Sequence, residues 1–209
     1  MSATPMPSLW IKVCGLSDAA GIDAAARAGV QAVGFVFHEP SPRNLSIADA
    51  AALQAVVPPG IERIAVFLHP SQALLDAVIA RVRPDCVQMD ASDVASRMIP
   101  SSLPVLPVMR SGSTPTSPTG LPARFLLESA LSGAGERADW SEAARLAGRA
   151  QVVLAGGLDA GNVGEAILAV RPYGVDVSSG VESSRGVKSP ALIRDFVMAA
   201  RAAQTRLAG

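Results

Sequence analysis

The sequence predicts a single parallel α/β barrel of the TIM, or (β/α)8, type. Eight short apolar runs alternate with helix-like segments that begin at polar caps and end at Gly or Pro. The runs are apolar at successive positions, which is typical of parallel strands buried on both faces. At 209 residues the chain is near the lower size limit of such a barrel, so short loops are expected. An open doubly wound sheet is the alternative, but no G-x-G-x-x-G turn follows the first strand.

The elements can be assigned in order along the chain. The predicted strands cover residues 9–15, 30–37, 63–68, 86–89, 105–110, 124–129, 151–157 and 174–180. The predicted helices cover residues 18–28 after a cap at Ser17, 47–57 after Ser46, 72–82 after Ser71, 93–98, 140–147, 162–170 and 190–207. After strand 5, residues 111–122 consist mainly of Ser, Thr, Pro and Gly, so a loop replaces the helix. We expect a flexible terminus over residues 1–8 and one barrel domain over residues 9–209.

Composition excludes several classes of function. The chain has 18 basic and 18 acidic residues, so bulk charge would hold it to neither nucleic acid nor a membrane surface. No apolar run reaches ~18 residues, and the start resembles no secretory signal. Two cysteines, Cys14 and Cys86, are too few for a disulfide framework, so a reducing, cytoplasmic setting is expected. His38 and His69 lack ligand spacing, and no metal site is expected.

The loops after strands 7 and 8 have the composition of a phosphate site. In such barrels the active site lies at the carboxyl ends of the strands, and these two loops often bind phosphate. Backbone N–H groups at glycines can approach an anion closely, and serines add hydroxyls. The alternative is that the glycines only begin tight turns. The candidate residues are Gly156, Gly157, Ser178, Ser179 and Gly180.

Strand 1 ends in a cysteine on the side that carries the active site. Lys12 lies two residues before Cys14 and therefore on the same side of the strand. Its positive charge is expected to lower the thiol pKa and favour the thiolate, although Lys12 could instead pair with a buried carboxylate. Cys86 begins a strand and is expected to pack as a small apolar residue.

Glu128 and Arg43 supply a candidate acid and a candidate anion clamp. A carboxyl group at the end of the apolar strand RFLLE is expected to have a raised pKa, as a general acid needs. The alternative is a salt bridge from Glu128 to Arg110 on the adjacent strand. Arg43 follows Ser-Pro and could bind a carboxylate bidentately, or it could be an exposed surface arginine.

At these positions the chain resembles the phosphoribosylanthranilate isomerase family. The similarity covers residues 9–197, and its motifs are K-V-C-G at 12–15, G-F-V-F at 34–37, S-P-R at 41–43, L-A-G-G-L at 154–158 and G-V-D-V-S-S-G-V-E at 174–182. The resemblance implies a cofactor-free Amadori rearrangement of a small phosphoribosyl substrate by a monomer or a homodimer. It also implies that Cys14 is the general base and that Arg43 holds the anthranilate carboxylate. The backbone of the two loops would hold the phosphate, while Asp176 would contact sugar hydroxyls or orient the base.

The chain departs from the family pattern at three places. The family's general acid is usually Asp, and the matching residue here is Glu128. The His that ends strand 4 in the family is Asp90 here, and we expect Asp90 to contact the substrate in its place. The loop over residues 132–140 keeps only two glycines and the final Asp-Trp. Two alternatives stay open: a related phosphosugar isomerase of histidine synthesis, and a barrel that binds phosphosugars without turnover.

Overall fold

The computed structural model describes residues 8–112, 120–129 and 139–208. Within these residues the strands are β1 (Trp10–Cys14), β2 (Ala32–Phe37), β3 (Glu62–Phe67), β4 (Cys86–Asp90), β5 (Val105–Arg110), β6 (Arg124–Glu128), β7 (Gln151–Leu154), β8 (Gly174–Val177), β9 (Glu182–Ser184) and β10 (Val187–Lys188). The helices are α1 (Ala19–Ala28), α2 (Ile47–Gln54), α3 (Gln72–Val82), α4 (Ala91–Val94), α5 (Trp140–Ala147), α6 (Val163–Val170) and α7 (Pro190–Ala208). In this part of the chain no helix is both long and apolar enough to cross a membrane.

Strands β1 to β8 close into a parallel barrel, which confirms the predicted fold and excludes the open sheet. Each strand pairs with its neighbour in sequence, and β1 pairs with β8. The register places Lys12 beside Asp176, Cys14 beside Gly34, and Arg110 beside Glu128. Residues that are distant in sequence are therefore brought together at the carboxyl ends of adjacent strands.

Two apolar clusters pack against the strands of the barrel, one on the inner face and one on the outer face. One fills the barrel interior and includes Trp10, Leu106 and Leu126. Cys86 belongs to this interior cluster and is fully buried, which confirms its predicted packing role. The larger cluster lies between the strands and the helices, and alternate residues of β1, Ile11 and Val13, belong to it. Lys12 and Cys14, on the opposite face of β1, therefore point into the barrel.

Several predicted boundaries were wrong. Asp18, not Ser17, caps α1, because its carboxylate accepts the Gly21 N–H at 2.7 Å. The fourth helix is a single turn at Ala91–Val94, earlier than predicted, and α2 ends three residues early at Gln54. Strands β7 and β8 each end three residues early, and a short helical turn follows β8 at Ser179–Val181.

The hairpin of β9 and β10 was not predicted, because its strands have only three and two residues. The predicted loop after β5 is described only at residues 111–112 and 120–122, where it contains no helix. Residues 113–119, residues 132–138 and the first seven residues of the predicted flexible terminus lie outside the described part of the chain.

Candidate active site

A pocket of about 300 Å³ opens at the carboxyl ends of the strands. A smaller pocket adjoins it at the ends of β6, β7 and β8 and shares part of its lining. Most of the residues predicted from the sequence line the larger pocket: Cys14, Arg43, Asp90, Glu128, Asp176, Ser178 and Ser179. Gly156 and Gly157 line the smaller one. Lys12 lies beneath the pockets, and Gly180 does not contribute to the lining that the described residues form.

Cys14 is held over a buried ion pair. The Lys12 ammonium is fully buried and donates a hydrogen bond to the Asp176 carboxylate at 2.9 Å. This is the alternative partner that the sequence offered for Lys12. Gly34 lies opposite the thiol. A Cβ at this position would lie 2.9 Å from Cys14 Sγ and 3.1 Å from Lys12 Cε. The absence of a side chain at Gly34 therefore leaves the space that the thiol and the lysine occupy.

Burial controls the proton affinity of the Cys14 thiol. Loss of solvent raises the pKa of Cys14, and the positive charges of Lys12 and Lys188 only partly oppose that shift. The expectation that Lys12 would give the thiol a low pKa was therefore wrong in its net direction. Burial also opposes the charge of Lys12, but the attraction of Asp176 and Cys14 prevails and raises its pKa. Because its pKa is raised above the usual value of a thiol, Cys14 is mainly protonated at neutral pH.

Arg43 is anchored from one side by a carboxylate that sequence analysis missed. Its Nε and Nη2 donate to Glu182 at 2.6 and 3.0 Å, and Lys188 Nζ donates to the same carboxylate at 2.8 Å. Burial alone would raise the pKa of Glu182, but these bonds and the Gly186 N–H lower it to about 2. Two cations share one carboxylate, so this cluster has a net positive charge beside the pocket.

Glu128 is tied to two neighbouring strands through Arg110. Arg110 Nη1 donates to Glu128 at 3.1 Å, as the salt-bridge alternative predicted, and Nη2 donates to Asp90 at 2.7 Å. Asp90 also lies 3.6 Å from His69 Nε2, and His69 Nδ1 is 2.9 Å from Asp93. Arg110 therefore joins Asp90 and Glu128, the two carboxylates that depart from the family pattern, in one hydrogen-bond network.

His69, Asp90 and Asp93 have potential ligand atoms within 4.8 Å of one another, a grouping that sequence spacing did not reveal. Hydrogen bonds between His69 and Asp93, and between Arg110 and Asp90, account for this grouping without an ion. The absence of a metal site stays a prediction.

The loops after β7 and β8 have the geometry expected of close backbone approach. Gly156 and Gly157 have φ values of +89° and +61°, which favour glycine. The Asn162 side chain donates to the Gly157 carbonyl at 2.8 Å and fixes the first loop. Ser178 is partly engaged, because its hydroxyl donates to the Cys14 carbonyl at 3.1 Å. Ser178 therefore links the phosphate candidate loop to the end of β1.

Gln88 is a further polar group that sequence analysis left without a role. Its side chain lines the larger pocket and is 6% exposed. Its Oε1 has no hydrogen-bond partner among the described residues. A buried amide oxygen of this kind can accept a hydrogen bond from a ligand hydroxyl or N–H group.

Comparison with known proteins gives a consistent result. Residues 11–199 match the family described as N-(5'-phosphoribosyl)anthranilate (PRA) isomerase. A curated relative of that name from Paracoccus denitrificans is 41% identical over 211 residues, covering 92% of this chain and 97% of the relative.

Solved structures of the same kind are also similar to this chain. TrpF from Jonesia denitrificans is 34% identical, with a TM-score of 0.79 and coverage of 94% of this chain and 98% of that chain. A phosphoribosyl anthranilate isomerase in complex with reduced 1-(o-carboxyphenylamino)-1-deoxyribulose 5-phosphate is 27% identical, with a TM-score of 0.73. The alignment with it covers 93% of this chain and 99% of that chain.

Proposed function

The chain belongs to the N-(5'-phosphoribosyl)anthranilate isomerase family, and on that premise we propose that Cys14 and Glu128 are its general base and general acid. The chain is an isomerase that converts N-(5-phosphoribosyl)anthranilate into 1-(2-carboxyphenylamino)-1-deoxyribulose 5-phosphate in tryptophan biosynthesis. The observation that supports the two roles is that a thiol and a carboxyl group line one pocket at the barrel mouth. A proton acceptor and a proton donor are the two groups that an Amadori rearrangement requires.

The acid step opens the ribose ring. Glu128 gives its proton to the ring oxygen while the bond from that oxygen to C1 breaks. The nitrogen lone pair forms the C=N bond of an iminium, so the leaving oxygen departs as a neutral hydroxyl. Glu128 is one methylene longer than the family's Asp, and Arg110 Nη1 fixes its carboxylate by a hydrogen bond of 3.1 Å.

The base step moves the proton at C2. The Cys14 thiolate takes that proton, and the electrons of the C–H bond form the C1=C2 bond of an enolamine as the iminium nitrogen is neutralised. The C2 hydroxyl then loses its proton and C1 gains one, which gives the ketone. The Cys14 thiol and the Glu128 carboxylate return to thiolate and carboxylic acid by exchanging one proton through solvent, which closes the proton balance. Because the iminium accepts the electrons, we propose that the reaction needs no cofactor and no metal.

Arg43 is proposed to hold the anthranilate carboxylate. Glu182 occupies the Nε edge of the guanidinium, which leaves the two Nη1 protons and one Nη2 proton for a ligand. The net positive charge of the cluster formed by Arg43, Lys188 and Glu182 supports anion binding at this side of the pocket. The Glu182 bonds also fix the guanidinium, so little side-chain entropy is lost on binding.

The phosphate is proposed to bind at the loops after β7 and β8, through the backbone of Gly156, Gly157 and Ser179, which line the smaller pocket, and of the adjoining Gly180. Asp176 lies between the two pockets and is proposed to contact sugar hydroxyls. The hydrogen bond from Lys12 fixes its carboxylate at the base of the pockets. A cytoplasmic location stays a prediction, as does the choice between a monomer and a homodimer.

The assignment is tested by following the fluorescence of phosphoribosylanthranilate generated in situ. We expect the purified chain to abolish that fluorescence catalytically and to release the deoxyribulose product. A chain that binds the reduced product analogue without turnover would be a silent phosphosugar barrel. Preferential turnover of the histidine-pathway ribotide would indicate the related isomerase, although strand 1 carries Cys14 where that family uses an aspartate.

A further inference from the structure

The carboxylates of Asp90 and Glu128 lie on opposite sides of one guanidinium. Arg110 stands at the end of β5, between β4 and β6, and donates from Nη2 to Asp90 and from Nη1 to Glu128. The side chains of Asp90, Arg110 and Glu128 are 10%, 23% and 18% exposed. The bond to Asp90 is the shorter one, at 2.7 Å against 3.1 Å.

This arrangement resolves a conflict in the acid role of Glu128. A guanidinium next to a carboxyl group favours the ionised form, whereas a general acid must carry a proton. Asp90 offsets the guanidinium charge from the other side. With Asp90 and Arg110 paired, the trio is neutral when Glu128 is protonated and has one negative charge when Glu128 is ionised.

We propose that Arg110 and Asp90 are positioning residues for Glu128. Arg110 fixes the carboxyl group at the mouth, and Asp90 balances the guanidinium charge so that Glu128 can carry the proton for the ring oxygen. The inference rests on the proposed role of Glu128 as the general acid. It gives Asp90 a role through Arg110 that differs from the direct substrate contact expected from the family pattern.

Other charged groups face this trio from neighbouring elements. His69, in the loop after β3, lies beyond Asp90 and is hydrogen-bonded to Asp93 at the start of α4. Asp176 on β8 and Cys14 on β1 line the same pocket as Glu128, and Lys12 lies beneath them.

Arg43 and Arg185 line the side of that pocket formed by the loops after β2 and β9. None of these groups around the trio is changed in the variants below. A difference between variants therefore reports the trio itself.

The test is a direct titration of Glu128 by carbon-13 NMR of the glutamate carboxyl groups, with the signal assigned by its loss in Glu128→Gln. Asp90→Asn should lower the Glu128 midpoint by about one pH unit, because the guanidinium charge is no longer offset. Arg110→Gln should raise that midpoint by about one unit, because the attracting charge is gone. The double variant should return close to the wild-type midpoint.

Turnover provides the second readout. Turnover requires enzyme in which Cys14 is a thiolate while Glu128 is protonated. The fraction of enzyme in this form falls about tenfold for each pH unit by which the Glu128 midpoint drops below that of Cys14. Asp90→Asn should therefore lose about tenfold in kcat/KM. Arg110→Lys keeps the charge but not the planar fork, so it should lower kcat while the midpoint moves little.

Asp85→Asn is the matched control, because Asp85 pairs with Arg63 at the opposite end of the barrel at 2.6 Å. It removes the same charge and should move neither the midpoint nor kcat/KM. A Glu128 midpoint that is unchanged or higher in Asp90→Asn would overturn the inference. A double variant whose Glu128 midpoint lies further from the wild-type value than those of both single variants would also overturn it. Full activity in Glu128→Gln would instead refute the acid role, whatever the midpoints of the other variants.

Discussion

Adding one methyl group at Gly34 should impair the base without replacing any reactive atom. Gly34 pairs with Cys14 in the register of β1 and β2. The Cβ of Gly34→Ala would lie 2.9 Å from Cys14 Sγ, 3.1 Å from Lys12 Cε and 3.2 Å from Cys14 Cα. Comfortable contacts between heavy atoms of this kind are about 3.5–4.0 Å. The thiol, the lysine or the strand must therefore move by several tenths of an ångström.

The size of the effect follows from which of these groups can move. Lys12 is fully buried and paired with Asp176, and the Cα of Cys14 is part of the barrel wall, so the Sγ atom is the freest to shift. Overpacking of this kind costs about 1–3 kcal/mol of folding stability. A displacement near 1 Å at a reacting group costs about 10²-fold in rate. We therefore expect kcat to fall by about ten- to a hundredfold, with little change in KM.

The assay is steady-state turnover of phosphoribosylanthranilate, combined with urea unfolding to measure the loss of stability. Gly164→Ala is the control, because Gly164 lies in α6 and, outside that helix, the nearest described atom to its added Cβ would be Ala203 Cβ, at 3.9 Å. It should leave kcat unchanged and keep or raise stability. A Gly34→Ala protein that folds and turns over at the wild-type rate would refute the argument that the thiol position limits the reaction.

Three further outcomes follow from the same contacts. Glu128→Gln should lose about 10²–10⁴-fold in kcat while Glu128→Asp keeps part of the activity, and an equal loss in both would assign Glu128 a structural role. Lys12→Met should cost about 3–5 kcal/mol of stability in urea unfolding, because Asp176 is left buried and unpaired; full stability would contradict the buried ion pair. Alkylation of Cys14 by iodoacetamide should still be accelerating above about pH 8.5, since the raised pKa of the thiol places the thiolate at higher pH. A rate that is already constant at pH 8 would mean that the pKa is lowered instead.

The sequence predicted those features that depend on periodicity and on strand order. Lys12 and Cys14 point to one side of β1 because strand side chains alternate with a period of two. Arg110 and Glu128 lie at the ends of consecutive strands, so a parallel barrel must place them side by side, and they do form an ion pair. The strand order also placed the candidate base, the acid and the phosphate loops on one mouth, and the family resemblance then implied their roles.

The features that could not be predicted depend on how deeply side chains are buried and on very short strands. Charge near a thiol is visible in a sequence, but the degree of burial is not, and burial reverses the expected net shift at Cys14. Glu182 lies at the start of a three-residue strand with no apolar alternation, so nothing local indicated that it would hold Arg43 and Lys188 together. The short strands of this hairpin carry too few residues for a periodic signal.

The most direct test of the central claim is the turnover of Cys14→Ala, measured together with its affinity for the reduced product analogue. We predict a loss of about 10²–10⁴-fold in kcat with analogue affinity within a few-fold of wild type, because the thiol moves a proton and the loops bind the ligand. Cys86→Ala, which removes the other thiol from the barrel interior, should keep its activity. Near-normal turnover in Cys14→Ala would contradict the assignment of Cys14 as the general base.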